Sequence, residues 1–239
     1  MDVRGKGVVV TGASRGLGAA LAGELARRGA RVAMVARTEA DLTRVARAIR
    51  AEGGEAHAIV ADLGDKEAIH RVAGAAAALV GDVEVLIQNA GTLGPAPLPL
   101  LLDARCEDLE HALAVNVLGP FRLGKALIGP MVLRGRGVVL HVSSDAAVAA
   151  YPGWGVYGAS KAAFDQLSRV WAAELDGTGV RFVALDPGEM DTAMHAAAVP
   201  DADRTALARP AAVARIAADV VAAELPPGER VLAQAWGAR

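Results

Sequence analysis

Short apolar runs rich in β-branched residues alternate along the chain with longer, alanine-rich stretches. The runs predict β-strands over residues 8–11, 31–36, 56–61, 83–87, 138–142 and 180–185. The stretches between them have helical periodicity near residues 17–28, 39–52, 65–80, 107–133 and 155–175. This alternation predicts right-handed crossovers and a parallel sheet with helices on both faces, which is a doubly wound, three-layer α/β fold.

Two regions lack regular periodicity, residues 91–104 and 187–209, and both follow predicted strands. We expect both at the carboxyl edge of the sheet, where open α/β folds bind ligands. A chain of 239 residues is within the range of one such unit. The sequence therefore predicts a single domain over residues 1–239, with a substrate lid at 187–209.

Composition and charge narrow the class of protein. A formal net charge of −2 without runs of like charge gives no footprint for nucleic acid or an anionic membrane. The longest uncharged stretch, residues 85–102, contains three prolines and is not expected to cross a bilayer as one helix. No apolar run precedes Gly7, and the single Cys106 cannot form an internal disulfide, so we expect a cytoplasmic protein. The five histidines lack ligand spacing, and no metal site is predicted.

A glycine-rich turn, Thr-Gly-Ala-Ser-Arg-Gly-Leu-Gly at residues 11–18, joins the first strand to the first helix. A bound diphosphate needs backbone N–H groups and a helix N-terminus directed at it. Glycine permits the tight turn and the close approach of the backbone. A turn without a ligand is the alternative, but the position between a first strand and an amphipathic helix favours a dinucleotide.

The residues that follow the second strand bear on which dinucleotide is bound. An NAD site usually has a carboxylate there, whereas this chain has Ala36, Arg37 and Thr38. The Arg37 fork suits a 2′-phosphate, and Arg15 in the glycine turn could close over the same group. Glu39 could be a displaced ribose-binding acid, although Thr38 as a cap followed by acids is typical of a helix start. The sequence thus predicts NADP(H) in preference to NAD(H).

Tyr157 and Lys161 are four residues apart at the start of a predicted helix, which places both on one face. A free tyrosine has a pKa of about 10, and a neighbouring ammonium favours the phenolate. A tyrosine tuned in this way can exchange a proton with a carbonyl or alcohol oxygen. Such a pair also occurs on solvated helix faces, so by itself it does not establish catalysis.

Further motifs stand in order around this pair, and with them the chain resembles the short-chain dehydrogenase/reductase family over nearly its whole length. The glycine turn matches the family's glycine motif. The other matching positions are Asp62-Leu63 after the third strand, Asn89-Ala90-Gly91 after the fourth, Asn116, Ser144 thirteen residues before Tyr157, Pro187-Gly188 and Thr192. The family's usual double asparagine is Gln88-Asn89 here, a conservative change.

The resemblance implies a Rossmann-type fold and an oxidoreductase, such as a carbonyl reductase, that moves a hydride between NADP(H) and a carbonyl or alcohol substrate. It makes Tyr157 the acid/base and Lys161 the residue that lowers the tyrosine pKa and holds the nicotinamide ribose. Ser144 would hydrogen-bond the substrate oxygen, and Asn116 would support a water that links the lysine to solvent. The implied cofactor contacts are Gly12, Ser14, Arg15, Gly16, Leu17, Gly18, Arg37, Thr38, Asp62, Leu63, Asn89, Ala90, Gly91, Tyr157, Lys161, Pro187, Gly188, Met190 and Thr192.

Several alternatives stay open. Ser144 could merely end a strand, and Asn116 could satisfy a helix backbone. A non-catalytic redox sensor, an NAD-preferring alcohol dehydrogenase and a nucleotide-sugar epimerase are rival functions. The candidates for substrate contact, each with packing or solvent exposure as the alternative, are Asp145, Tyr151, Trp154, Met194 and His195.

The oligomeric state can also be anticipated. The alanine-rich helices at 107–133 and 155–175 offer apolar faces for a homodimer. The chain ends soon after residues 230–234, without the glycine-rich tail that helps to build a tetramer in many members of the family. The resemblance therefore leaves a tetramer in doubt.

Overall fold

The structure, a computed structural model, describes residues 1–238. Its strands are β1 (Gly7–Thr11), β2 (Arg31–Ala36), β3 (Glu55–Val60), β4 (Val83–Gln88), β5 (Gly137–Val142), β6 (Val180–Asp186) and β7 (Glu229–Leu232). They form one sheet in the order β3-β2-β1-β4-β5-β6-β7, and every pairing is parallel. The strand order reverses between β1 and β4, which creates the crevice where open α/β sheets bind ligands. The predicted doubly wound α/β fold is confirmed.

The helices cover both faces of this sheet. They are α1 (Gly16–Arg27), α2 (Glu39–Ala51), α3 (Ala68–Val80), α4 (Cys106–Leu113), α5 (Gly119–Leu133), α6 (Gly155–Glu174), α7 (Ala193–Ala198) and α8 (Pro210–Ala222). Alternate strand residues supply two cores, because successive side chains point to opposite faces. Val8 and Val10 join the core under α1, α2 and α8, whereas Val9 joins the core under α3 and α5. Burial on both faces explains why β1, β4 and β5 consist entirely of buried residues.

The structure differs from the predicted pattern at four places. The long helix predicted at 107–133 is α4 and α5 joined by a π-helical turn, Ala114–Leu118. Helix α8 was not predicted, although its buried residues Val213, Ala217 and Val221 recur every four residues, as expected for a helix. Strand β7 was not predicted because it has only four residues and begins with the charged pair Glu229 and Arg230. The region predicted as an irregular lid contains the short helix α7.

The combined helix Cys106–Leu133 is long and apolar enough to cross a membrane by length and composition alone. Core helices of globular proteins share these properties, and 56% of its most apolar window is buried inside the protein. It contacts α3 and α6. Leu109, Leu118 and Val170 on these neighbouring helices stay exposed. The homodimer expected through this surface stays a prediction.

The first residue of α5, Gly119, packs directly on the backbone of the loop that follows β3. A Cβ added at Gly119 would collide with the carbonyl oxygen of Leu63, whereas one added at Gly74 in α3 meets no atom within 4 Å. We predict that Gly119→Ala lowers the free energy of unfolding by about 1–3 kcal/mol through overpacking. The control Gly74→Ala should raise it by about 0.5–1 kcal/mol through helix propensity. Urea unfolding measures both, and equal stabilisation of the two variants would contradict the close packing.

Candidate active site

A cavity of about 830 Å³ runs along the carboxyl edge of the sheet, from the glycine turn to the segment after β6. Most of the residues predicted for the site line this cavity. They are Gly12, Ser14, Arg15, Gly16, Leu17, Arg37, Thr38, Asp62, Leu63, Asn89, Ala90, Gly91, Ser144, Tyr157, Lys161, Pro187, Gly188, Met190 and Thr192. Gly18 and Asn116 are the predicted residues that do not line it. The fold therefore brings together motifs that are far apart in the sequence.

The glycine turn has a tightly packed side and an open side. Gly12 has a φ of +67°, and a Cβ there would lie 2.8 Å from Asn89 Nδ2. A Cβ on Gly18 would collide with the carbonyl oxygen of Gly12. Gly16, with a φ of +55°, faces space in which the nearest group is the Thr192 methyl at 3.6 Å. Helix α1 begins at this open side without a side-chain cap, so its first N–H groups are available to an anion such as a diphosphate.

Asn89 binds the end of β4 to the glycine turn. Its side-chain Nδ2 donates to the carbonyl of Thr11 at 2.9 Å, and the Thr11 hydroxyl accepts the N–H groups of Asn89 and Ala90 at 3.0 Å. The neighbouring Gln88 points to the other side of the sheet and donates to the carbonyl of Pro120 at 2.8 Å. Gln88, which replaces the first asparagine of the family's motif, is thus hydrogen-bonded through its side-chain amide to α5.

The end of β2 presents an arginine and no carboxylate. Ala36 is buried, and Arg37 is exposed with Nη1 3.8 Å from Asp62 Oδ2. Thr38 occupies the cap position of α2, but its side chain makes no capping hydrogen bond, so that part of the prediction is wrong. Glu39 lies in the first helical turn and does not line the cavity, as expected for a helix start.

A carboxylate that was not predicted for this end of the cavity, Asp41, does line it. Its Oδ1 lies 3.1 Å from Arg44 Nη2, one turn further along α2. Both carboxylates at this end, Asp41 and Asp62, therefore have an arginine nearby, and Arg37 retains an exposed guanidinium. The spacing of Asp41 and Arg44 could have indicated the helical ion pair, but no sequence signal placed Asp41 at the cavity.

The first two turns of α6 carry Tyr157 and Lys161 to the cavity floor. The Lys161 Nζ lies 5.6 Å from the centre of the Tyr157 ring and donates to the carbonyl of Val142 at 2.8 Å. Gly91 faces the same ammonium, since a Cβ there would lie 3.8 Å from Nζ. The four-residue spacing thus produces the predicted pair on one helix face, and both side chains are buried.

Asn116 lies in the π-helical turn, behind the cavity wall. Its Oδ1 accepts the N–H of Thr92 at 2.8 Å, and its Nδ2 donates to the Thr92 carbonyl and to Ser160 Oγ, each at 2.8 Å. These bonds connect the loop after β4 to the helix that carries Tyr157. Short π-helical turns are frequent at functional sites, in agreement with this position. The water-supporting role implied by the resemblance stays a prediction.

Ser144 is anchored beside Tyr157 by the turn that follows β5. The Ser144 hydroxyl accepts the N–H of Ala146 at 3.2 Å and donates to Asp145 Oδ1 at 2.9 Å. The Tyr151 hydroxyl donates to the other carboxylate oxygen of Asp145 at 3.1 Å. Trp154 packs edge-on against the Tyr157 ring with centroids 5.8 Å apart. Asp145, Tyr151 and Trp154 all line the cavity, so the weaker candidates from the sequence do lie at the site.

Burial sets the protonation of the central pair. It raises the pKa of the Tyr157 phenol well above the ordinary value, while hydrogen bonding with Ser144 acts in the opposite direction. Nearby carboxylates, Asp145 first among them, raise the phenol pKa further. Burial lowers the pKa of Lys161 to about 8. Burial, the largest of these effects, thus favours the protonated phenol. The lowering of the phenol pKa by Lys161, which the resemblance implies, stays a prediction.

The segment after β6 forms one wall of the cavity. Thr192 caps α7 through its Oγ1, which accepts the N–H of His195 at 3.1 Å. Backbone bonds of Ala208 to Glu189 and Asp191, 3.1 and 3.0 Å long, close the base of the segment. His195 Nε2 lies 3.5 Å from Glu189 Oε1, and His195 lines the cavity with Met194. This geometry suits a lid, and its movement stays a prediction.

Sequence reasoning missed a polar cluster next to Ser144, in which three residues are buried and Arg230 is partly buried. It consists of His141, Asp165, Asp186 and Arg230, which come from β5, α6, β6 and β7. A signal was present, because Asp165 lies one helical turn after Lys161 and His141 interrupts an apolar strand. The four residues are far apart in the sequence, so their contact depends on the tertiary fold.

Comparison with known proteins gives consistent relatives. The model of the short chain dehydrogenase family matches residues 6–203. A short chain dehydrogenase of Pseudocercospora fijiensis is 37% identical over 200 residues, which cover 82% of this chain and 63% of that protein. The 1-deoxy-11-beta-hydroxypentalenate dehydrogenase of Streptomyces exfoliatus is 36% identical over 195 residues, which cover 81% of this chain and 70% of that protein. The match thus spans less than two thirds of the first relative.

A solved structure resembles the whole chain. A candidate NAD(P)-dependent gluconate 5-dehydrogenase of Beutenbergia cavernae, with NADP bound at low occupancy, superposes with a TM-score of 0.89 at 32% identity. The superposition covers 100% of this chain and 99% of that one.

The neutral state of Tyr157 can be tested directly, because the chain contains only two tyrosines. The variant Tyr151→Phe leaves Tyr157 as the sole phenol. Since burial disfavours the phenolate, much less than half of it should ionise at a pH of about 10, the midpoint for free tyrosine. The phenolate absorbance during a pH titration gives the fraction, with the unfolded variant as the control. A folded protein that is half ionised at or below that pH would contradict the burial argument.

Proposed function

The chain belongs to the short-chain dehydrogenase family, and from this premise we propose that it transfers a hydride between NADP(H) and a small carbonyl or alcohol substrate. The observation that carries the proposal is the convergence of Tyr157, Ser144 and Lys161 in one cavity with the open glycine turn. A buried acid, a polar group beside it and a phosphate cradle at the other end are the parts that such a reaction needs.

The residues present fit a dinucleotide. The uncapped start of α1 at Gly16 would hold the diphosphate, and Asp62 with Leu63 would border the adenine. The exposed guanidiniums of Arg15 and Arg37 at the same end suit a 2′-phosphate. When bound, the nicotinamide ring would supply or accept the hydride. The NADP in the Beutenbergia cavernae structure supports the phosphorylated cofactor, and hence the preference inferred from the end of β2.

In the reductive direction, Tyr157 donates its phenolic proton to the substrate oxygen. Its burial favours this role, because a protonated phenol is the form required of a donor. The phenolate left behind lies near the Lys161 ammonium, which stabilises it electrostatically. In the oxidative direction, the same phenolate accepts the alcohol proton.

Ser144 orients the substrate oxygen beside Tyr157. In the protein alone its hydroxyl proton is directed at Asp145. Donation to a substrate oxygen therefore requires a rotation about the Cβ–Oγ bond, which costs little for a hydroxyl group. Asp145 and Tyr151 border the same space and would contact the rest of the substrate.

The rival of a non-catalytic sensor is less well supported. A sensor needs the glycine turn and the arginines, but it has no use for a buried phenol beside an ammonium and a serine. The buried Lys161, with its pKa lowered to about 8, lies beside the phenol, and perturbed ionisable groups of this kind are typical of catalytic sites.

Cofactor preference is tested at Arg37. We predict that Arg37→Ala weakens NADPH binding by about 1–3 kcal/mol, because a charged hydrogen bond to the 2′-phosphate is lost, and leaves NADH binding nearly unchanged. Calorimetry with both cofactors gives the affinities. The matched control is Arg47→Ala, which removes an exposed arginine on α2. It should change the affinity for neither cofactor. Equal affinities of the unmutated protein for NADPH and NADH would contradict the proposed preference.

The catalytic role of Tyr157 is tested with Tyr157→Phe, which keeps the ring and its packing on Trp154 but removes the proton. Turnover with a panel of ketones and aldehydes should fall by about 10²–10⁴-fold, the usual contribution of a positioned acid. NADPH affinity and thermal stability of the variant serve as controls and should change little. A folded Tyr157→Phe protein with normal turnover would show that the proton comes from another group.

A further inference from the structure

The end of β5 is held from below by two side chains of α6. Asp165 Oδ2 accepts the Ser143 hydroxyl at 2.7 Å, and Asp165 Oδ1 lies 3.0 Å from His141 Nε2. One turn earlier on the same helix, Lys161 binds the Val142 carbonyl. Residues 141, 142 and 143 are thus each fixed to α6, the helix that carries Tyr157.

The next residue, Ser144, is fixed from a different direction by Arg230 on β7. The Arg230 Nη2 donates to the Ser144 carbonyl at 2.9 Å and to Asp186 Oδ2 at 2.8 Å. Asp186 Oδ1 in turn accepts the N–H of Gly188 at 3.0 Å. The Arg230 Nε lies 3.7 Å from Asp165 Oδ2. One guanidinium therefore connects the turn after β5, the turn after β6 and the helix α6.

The charges of this cluster balance. Asp165 and Asp186 are the two carboxylates, and Arg230 with Lys161 supplies two cations. Burial lowers the pKa of His141 to about 4, so its ring is neutral near pH 7. Removal of Arg230 would leave the buried carboxylates of Asp165 and Asp186 with one neighbouring cation, Lys161. Such an imbalance favours movement of Asp186, and of the turn that follows it, toward water.

We propose that Arg230 is a positioning residue that locks the Ser144 turn and the Pro187–Gly188 turn in a fixed relation to Tyr157. Ser144 and Gly188 both line the cavity that contains Tyr157. They lie in the turns that follow two different strands, β5 and β6. Backbone pairing of β5 with β6 ends at Val142 and Leu185, and its last hydrogen bond joins the Ser143 N–H to the Leu185 carbonyl at 2.7 Å. The ladder therefore stops before Ser144 and Pro187. Arg230 bridges them where the ladder stops.

The consequence for catalysis rests on the proposed function. Displacement of catalytic groups by about 1 Å can cost about 10²-fold in rate. Arg230 does not line the cavity among the described residues and is not expected to touch the substrate. Its loss should therefore act through the placement of Ser144 and Gly188.

The test compares Arg230→Gln with a matched control, Arg181→Gln. Arg181 on β6 is also a partly buried arginine that donates to two backbone carbonyls, those of Val221 and Ala223 at the end of α8. It does not line the cavity. Each variant removes a guanidinium that donates two hydrogen bonds, to a carbonyl and a carboxylate in Arg230→Gln and to two carbonyls in Arg181→Gln. Only Arg230→Gln loses them at the edge of the sheet that carries Ser144 and Gly188.

The first measurement is amide hydrogen exchange, which needs neither substrate nor cofactor. Exchange at Gly188 and Ala146 should accelerate about 10-fold or more in Arg230→Gln, because the carboxylate and the turn that hold these N–H groups are released. In Arg181→Gln the acceleration should be confined to the end of α8. Unchanged exchange at Gly188 and Ala146 in Arg230→Gln would overturn the positioning role.

The second measurement is turnover with saturating NADPH, on any carbonyl substrate that the unmutated protein reduces. We expect kcat to fall about 10–100-fold in Arg230→Gln and to stay unchanged in Arg181→Gln, with a larger deuterium isotope effect in the former as hydride transfer becomes slower. Equal kcat values for the two variants would overturn the catalytic consequence. If the unmutated protein reduces no carbonyl compound, the proposed function fails, whereas the exchange result still decides the role of Arg230.

A folding defect can be separated from this role. If Arg230→Gln does not fold, Arg230→Lys keeps the charge but not the planar fork that reaches several acceptors. It should accelerate the same amides and lower kcat in the same direction. Wild-type values of both quantities in a folded Arg230→Lys protein would overturn the proposal.

Discussion

The burial of Lys161 against the carboxyl end of β5 is the constraint on which the rest of the catalytic edge depends. A buried ammonium is unfavourable unless hydrogen bonds and opposite charge compensate it. Here the Val142 carbonyl accepts one of its protons, and Asp165 supplies a negative charge one turn away. Gly91 leaves the space that the ammonium occupies. The position of α6 on the sheet, and with it that of Tyr157, follows from meeting these requirements together.

Under the proposed function, one cavity serves two tasks. At the end near β2, backbone N–H groups and exposed arginines offer positive potential for phosphate groups. At the end near β5, a buried phenol and an ordered serine offer a proton and a hydrogen bond. Asn116 lies behind the cavity wall, whereas Asn89 lines the cavity next to the glycine turn. They tie the loop after β4 to α6 and to the glycine turn, so the two ends keep their separation.

Much of the site could be predicted because its signals are local. The glycine turn, the Tyr157–Lys161 spacing and the order of the motifs depend on a few neighbouring residues, and the structure brings them into one cavity. Strand β7 was less predictable, since a strand of only four residues that begins with two charges gives little apolar signal. Helix α8 was not predicted, although its buried residues recur with helical spacing. Thr38 shows the limit of local rules, because it occupies the cap position without making the capping bond.

The sequence by itself determined the alternation of strands and helices, the glycine turn and the pair on α6, because each arises from periodicity or from contacts among neighbouring residues. The protonation of Tyr157 and the arginine bridge at Arg230 were decided by the tertiary structure alone. Burial of a phenol depends on all the elements that pack around it, and here it is the largest effect on the pKa of Tyr157. Arg230 meets Ser144 and Asp186 across separations of 86 and 44 residues, and no local pattern encodes a contact between strand ends that only the folded sheet brings together.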